Sequence, residues 1–122
     1  ILRGGTVPNY DAAGVKSACA ELAQAGLEER VLIDASHANS RKDAQNQLPV
    51  CDAIAAQLAS GERRIIGVMV ESHLVAGRQD LAPGRALTYG QSITDACLGW
   101  EDTLRALDAL AAGVRQRRAV RA

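Results

Sequence analysis

Four stretches of the chain carry side chains able to hold a cation or an anion. Arg3 precedes Gly4-Gly5. Asp34 opens the run Asp34-Ala35-Ser36-His37-Ala38-Asn39. Glu71-Ser72-His73 ends a strongly apolar segment, and Asp95 is followed two residues on by Cys97. His37, Glu71 and Asp95 offer one nitrogen and two oxygen donors, a set that suits a borderline or hard divalent ion such as Mn²⁺, Fe²⁺, Co²⁺ or Zn²⁺. Spacing does not settle whether they meet, because ligands on separate strands can lie at any distance in sequence. Each residue also has a plainer use. His37 can cap a helix or hydrogen-bond within a turn, and Asp95, behind Ser92 and Thr94, can serve as a helix N-cap. Glu71 at the end of an apolar strand is costly unless paired or ligating. Arg3 can pair with a carboxylate, although Arg beside Gly-Gly at a strand end also suits a phosphate. His73 and Cys97 are alternative ligands.

These residues converge only if the elements between them set strand ends side by side. Ile1-Leu2-Arg3 reads as the end of a strand running into a glycine turn. From about Asp11 to Ala25, Val15, Ala18, Cys19, Leu22 and Ala25 recur at helical spacing, and Gly26 supplies a stop. A short β-rich run, Val31 to Ala35, comes next. A second helix is predicted from roughly Lys42 to Ala59, with Val50, Ile54 and Leu58 on one face and Gly61 at its end. Ile65 to Val70 is nearly continuous in apolar residues, as expected of a parallel strand buried on both faces. A long loop from about Ser72 to Gly99 follows, and a segment of that length without its own secondary structure is usually functional. The last helix is predicted from Trp100 to about Arg117, with Leu104, Leu107, Leu110 and Val114 as its apolar stripe.

The order is βαβαβα, which implies parallel strands with right-handed crossovers. In such folds the working residues gather beyond the C-terminal ends of the strands, where Arg3, His37 and Glu71 fall. Both a doubly wound sheet and a (β/α)₈ barrel fit, and the lack of a GxGxxG turn weakens a dinucleotide-binding reading. A complete barrel takes about 250 residues, so three βα units make well under half of one. Three units alone leave open strand edges. The expectation is therefore a homo-oligomer, or further neighbours contributed by the missing N-terminal part of the same chain. The opening Ile1-Leu2-Arg3, without a Met, points the same way.

Composition narrows the classes. The 122 residues are 48% hydrophobic but contain no Phe, one Trp and two Tyr, so Ala, Leu, Val and Ile must fill the core. Fourteen basic residues balance fourteen acidic ones, which argues against a nucleic-acid binder. The basic run Arg115 to Arg121 is read as a solvated helix end. No apolar stretch approaches the ~20 residues a membrane span needs, and the first residues do not resemble a signal peptide. Cys19, Cys51 and Cys97 form no CxxC pair and fit a reducing, cytoplasmic setting.

The same residues carry a family likeness. The segments LRGG-x-x-PNY (Leu2 to Tyr10), ID-x-SHANS (Ile33 to Ser40), IIGVMVESHL (Ile65 to Leu74) and YG-x-SITDAC-x-GWEDT (Tyr89 to Thr103) resemble the type I 3-deoxy-D-arabino-heptulosonate-7-phosphate (DAHP) synthases, in their microbial feedback-regulated branch. The likeness runs from the first residue to about Arg118, in one register. It implies that residues 1–122 are the C-terminal third of a single (β/α)₈ TIM-barrel domain, supplying strands six to eight. It also implies a transferase of the shikimate pathway to aromatic amino acids, which condenses phosphoenolpyruvate with erythrose 4-phosphate to DAHP and phosphate. The family holds a divalent metal with a Cys, a His, a Glu and an Asp. His37 matches that His, Glu71 the Glu, Asp95 the Asp, and Arg3 an arginine that contacts phosphoenolpyruvate.

The departures bound the inference. The family's Cys ligand lies upstream of residue 1, and none of Cys19, Cys51 or Cys97 matches it. Thr6 stands where many relatives carry Lys, and Ala35 where an aromatic is common. The chain alone is expected to be inactive. The competing expectation is a catalytically inert α/β module that retains weak divalent-metal binding through His37, Glu71 and Asp95.

Overall fold

The computed structural model describes residues 1–120, so Arg121, the end of the basic run, lies outside them. Along the chain lie α1 (Ala12–Gln24), β1 (Val31–Asp34), a 3-10 turn (Ala44–Asn46) leading into α2 (Gln47–Ala59), β2 (Ile65–Met69), β3 (Val75–Arg78), β4 (Gln91–Ser92) and α3 (Trp100–Ala119). β1 and β2 pair in parallel. The expected first strand contracts to a single parallel bridge, Leu2 to Ile33, held by Leu2 N–H to Leu32 C=O and Asp34 N–H to Leu2 C=O. The fold is α/β with short parallel strands, as the alternation implied.

α1 forms where its periodicity placed it. The Asp11 carboxylate accepts the Gly14 N–H at its start, satisfying one of the free amides of the first turn. Gly26, at φ 71°, lets Leu27 N–H return to Leu22 C=O and close the helix. Val15 and Cys19 are fully buried, whereas Ala25 stays outside. Residues Val31, Ile33 and Ala35 of β1 and its end, Val50, Cys51, Ile54 and Leu58 of α2, Ile65 of β2 and Ala106 of α3 complete one core.

Four sequence expectations need correction. The second helix starts at Gln47 rather than Lys42, because Arg41 and Lys42 sit in the left-handed region at φ 55° and 60° and cannot begin a right-handed helix. β2 is not buried on both faces. The pairing passes from Val31–Ile65 to Leu32–Gly67, so Ile66 has no residue opposite and is 63% exposed. The segment 72–99 is not structureless: β3 pairs with β4, Ser72 bridges to Leu98, and Gly77 bridges to Cys97.

α3 packs through only half of its expected stripe, since Leu110 and Val114 meet the core and Leu104 and Leu107 do not. Leu104 and Leu107 are exposed, while Thr103, Ala106 and Gly113 are buried, with Leu110 and Val114 at the core margin. Small residues are selected because the α2 and α3 backbones approach closely. A Cβ on Gly113 would stand 2.6 Å from the Ala55 carbonyl oxygen. At the far end of α3, Arg117 donates to the Glu62 carbonyl, tying the helix to the α2–β2 connection. There Glu62 takes a bidentate contact from Arg64, which holds its carboxyl down at about 2. No helix among the described residues is long and apolar enough to cross a membrane.

Candidate metal centre

The strand ends meet through backbone-directed side chains. Asn39, buried, donates to the Leu2 and Asp34 carbonyls and accepts the Asn9 N–H. Asn9 in turn accepts the Gly4 N–H. This staple sets the Arg3 turn against the turn that follows β1. Gly4, at φ 77°, is required there, since a Cβ would meet Ala38 Cβ and Asn39 N at 2.9 Å.

Within that turn His37 adopts φ 43°, an uncommon conformation for a non-glycine residue and one found at functional sites. Its Nδ1 lies 2.8 Å from the Asp34 carboxylate, which is buried and also accepts the Ser36 N–H. With Asp34 as an acceptor, Nδ1 is the donor, and in the neutral ring Nε2 is the nitrogen that keeps its lone pair. Nε2 faces Glu71, 3.8 Å from Oε1. The other Glu71 oxygen accepts a 2.8 Å hydrogen bond from Ser36 Oγ. The carboxylate that is costly at a strand end is thus partnered on one side and presented on the other.

Asp95 arrives from the β4 side. The 94–98 segment is tethered to the Glu71 region by Leu98 N–H to Glu71 C=O and by His73 N–H to Leu98 C=O. Arg78 donates from Nε to the Thr94 carbonyl, beside Asp95. Ligand atoms of His37, Glu71 and Asp95 all lie within 4.8 Å of one another, close enough to share one cation. The N,O,O donor set, with His37 Nδ1 engaged by Asp34 and Nε2 facing Glu71, fits a divalent metal.

These residues line a cleft of about 400 Å³ together with Arg3, Lys42 and Arg78. Arg3, read from its position beside Gly-Gly, is therefore in the same cleft as the three candidate ligands. Lys42 and Arg78 were missed. Lys42 reaches the cleft through its left-handed backbone, and Arg78 through the β3–β4 pair, neither of which leaves a sequence pattern. Asp34 and Ser36 stand behind the candidate ligands, a placement that follows only from geometry.

The plainer uses are resolved as well. Asp95 is not a helix N-cap, because α3 starts at Trp100 with Gly99 as its cap. His73 uses Nδ1 to accept the Leu74 N–H, and neither it nor Cys97 joins the cluster. The Cys97 thiol donates to the Asp95 carbonyl, and burial pushes its pKa up. Cys51 is fully buried, its pKa pushed up to about 11, and Cys19 is buried with its pKa raised for the same reason.

Fold and site together define an α/β chain with a three-residue metal-type cluster at the C-terminal ends of parallel strands. Residues 1–108 match the model of the DAHP synthetase I family, and the chain belongs to that family. It is 54% identical over 119 residues to a phospho-2-dehydro-3-deoxyheptonate aldolase of Haemophilus influenzae, covering 97% of this chain and 33% of that protein. A Phe-sensitive phospho-2-dehydro-3-deoxyheptonate aldolase of Escherichia coli K12 is 55% identical over 118 residues, with 97% and 34% covered. The solved structure of phospho-2-dehydro-3-deoxyheptonate aldolase from Francisella tularensis SCHU S4 superposes with a TM-score of 0.90 at 44% identity, over 95% of this chain and 34% of that one. The chain spans about a third of the length of the curated relatives it matches.

Proposed function

We propose that this chain is the C-terminal third of a (β/α)₈-barrel DAHP synthase, in which His37, Glu71 and Asp95 hold the divalent metal and Arg3 contacts phosphoenolpyruvate. The observation that carries the proposal is the convergence of those three ligand atoms within 4.8 Å, in a cleft that also holds Arg3. Three βα units with an exposed Ile66 on the sheet fit a barrel whose remaining strands come from elsewhere in the protein.

In the reaction, C3 of phosphoenolpyruvate bonds to the aldehyde carbon of erythrose 4-phosphate. Water adds at C2, and the C2–O bond to phosphate breaks, giving DAHP and phosphate. The metal, when bound, supplies Lewis-acid polarisation of the aldehyde oxygen. The chain's own residues do the rest of what can be assigned. Asp34 holds His37 with Nε2 free, and Ser36 orients the Glu71 carboxylate. Arg3, Lys42 and Arg78 bring three positive charges to a cleft that must accept two phosphates and a carboxylate. The remaining two thirds of the barrel supply the family's Cys ligand and most of the basic groups, so the 122 residues alone are inactive.

The test is loss of phosphoenolpyruvate absorbance by the full-length protein. Loss that requires both erythrose 4-phosphate and Mn²⁺, and stops with EDTA, supports the reading. Loss without erythrose 4-phosphate, or none with any divalent metal, rejects it.

A further inference from the structure

The Glu71 backbone has an unusual partner. β2 ends at Met69, so at Glu71 the chain has left the ladder with β1. Its N–H would be left without a strand to bond. The Gln47 side chain takes that place. Its Oε1 accepts the Glu71 N–H at 2.8 Å, and its Nε2 donates to the Glu71 carbonyl at 3.0 Å. One primary amide thus makes the paired bonds that a neighbouring strand would make. Gln47 is 0% exposed, and Nε2 also reaches the Ala44 carbonyl at 3.3 Å. A fully buried Gln is expensive unless its amide is satisfied, and here both ends are used.

Gln47 is also the first residue of α2, whose Val50, Cys51, Ile54 and Leu58 are locked into the core. The amide therefore has a rigid mount. It fixes the backbone from which the Glu71 side chain projects, while Ser36 fixes the carboxylate end. Gln47 thus holds the backbone end of Glu71, and Ser36, the residue before His37, holds its carboxylate end.

We infer that Gln47 is a positioning residue for the metal centre: it sets the Glu71 backbone so that the carboxylate meets His37 and Asp95. The inference rests on the metal reading proposed above. Groups that orient a metal ligand without touching the metal typically contribute 10–100-fold in metal affinity. A purely structural Gln47 would lower the stability of the metal-free protein and leave the affinity alone.

The experiment is a calorimetric titration of the metal-stripped full-length protein with Mn²⁺, alongside melting in EDTA. Gln47→Met keeps the volume and removes the amide. The expected result is about a tenfold or greater loss of Mn²⁺ affinity. Gln47→Asn, which keeps an amide one methylene too short to reach, is expected to show the same loss. If the unsubstituted protein binds Mn²⁺ and both folded variants bind it within twofold as tightly, the positioning role is wrong and the metal reading stands. If the unsubstituted protein binds no divalent metal, the metal reading itself falls. Failure of both variants to fold would assign the clamp to folding alone and would also overturn the inference.

Discussion

Replacing Asp34 with Asn changes one atom and sets two donors against each other. Asp34 is 3% exposed, with Oδ1 accepting the Ser36 N–H and Oδ2 lying 2.8 Å from His37 Nδ1. In the amide, one of those positions becomes NH₂. If the amide keeps Ser36 satisfied, its NH₂ faces Nδ1, and His37 must move its proton to Nε2, the nitrogen that faces Glu71. A protonated Nε2 cannot ligate a metal. If the amide flips instead, its NH₂ meets the Ser36 N–H, and a buried donor loses its acceptor at about 1–3 kcal/mol. Either way the cost falls on the state that binds metal. About 10–100-fold weaker binding is expected, or roughly 1.4–2.7 kcal/mol. The assay is Mn²⁺ titration of the metal-stripped full-length protein, compared with Asp34→Ala. Affinity of Asp34→Asn within twofold of the unsubstituted protein would refute the tautomer argument.

Two further predictions concern the scaffold. Gly113→Ala should lower the melting temperature of the full-length protein, although Ala in mid-helix is favoured over Gly by about 1 kcal/mol. The new Cβ meets the Ala55 carbonyl oxygen at 2.6 Å and its Cα at 3.1 Å, and backbone cannot step aside as a side chain can. Overpacking of this kind costs about 1–3 kcal/mol, which leaves about 0–2 kcal/mol of net destabilisation, and a raised melting temperature would contradict it. Glu62→Gln should remove a stabilising contribution that depends on pH. The folded-state pKa of Glu62 lies at about 2 against the ordinary 4.5 because Arg64 hydrogen-bonds its carboxylate. The contribution is therefore fully present above pH 4.5 and fades as pH falls towards 2. Arg64 is about a third exposed, so solvent screening limits the contribution to about 1 kcal/mol. A stability difference between the two proteins that stayed constant across that range would contradict the ion-pair account.

Much of the fold was legible because period and punctuation coincide. Val15, Cys19 and Leu22 followed by Gly26 define α1, and Val31 to Asp34 and Ile65 to Met69 are short β-rich runs between turn signals. The candidate ligands were legible because strand ends in this fold class are where chemistry sits. What sequence hid was governed by contacts distant along the chain. Gln47 is a polar residue at a helix start, and its partner is 24 positions away. The buried face of α3 is set by how near the α2 backbone comes, so Gly113 and Ala106 face inward while Leu104 and Leu107 do not. The β3–β4 pair is made of short strands stitched by Gln79, whose amide bonds Thr88 and Gln91, a pattern with no period to detect.

The proposed site needs His37, Glu71 and Asp95 together to hold one divalent ion. Metal content of the full-length protein, after loading with Mn²⁺ and dialysis, tests it most directly when measured beside His37→Ala, Glu71→Ala and Asp95→Ala. About one bound ion per chain is expected in the unsubstituted protein, with loss of retained metal in each folded variant. Retention of a full complement by any one of the three would contradict it.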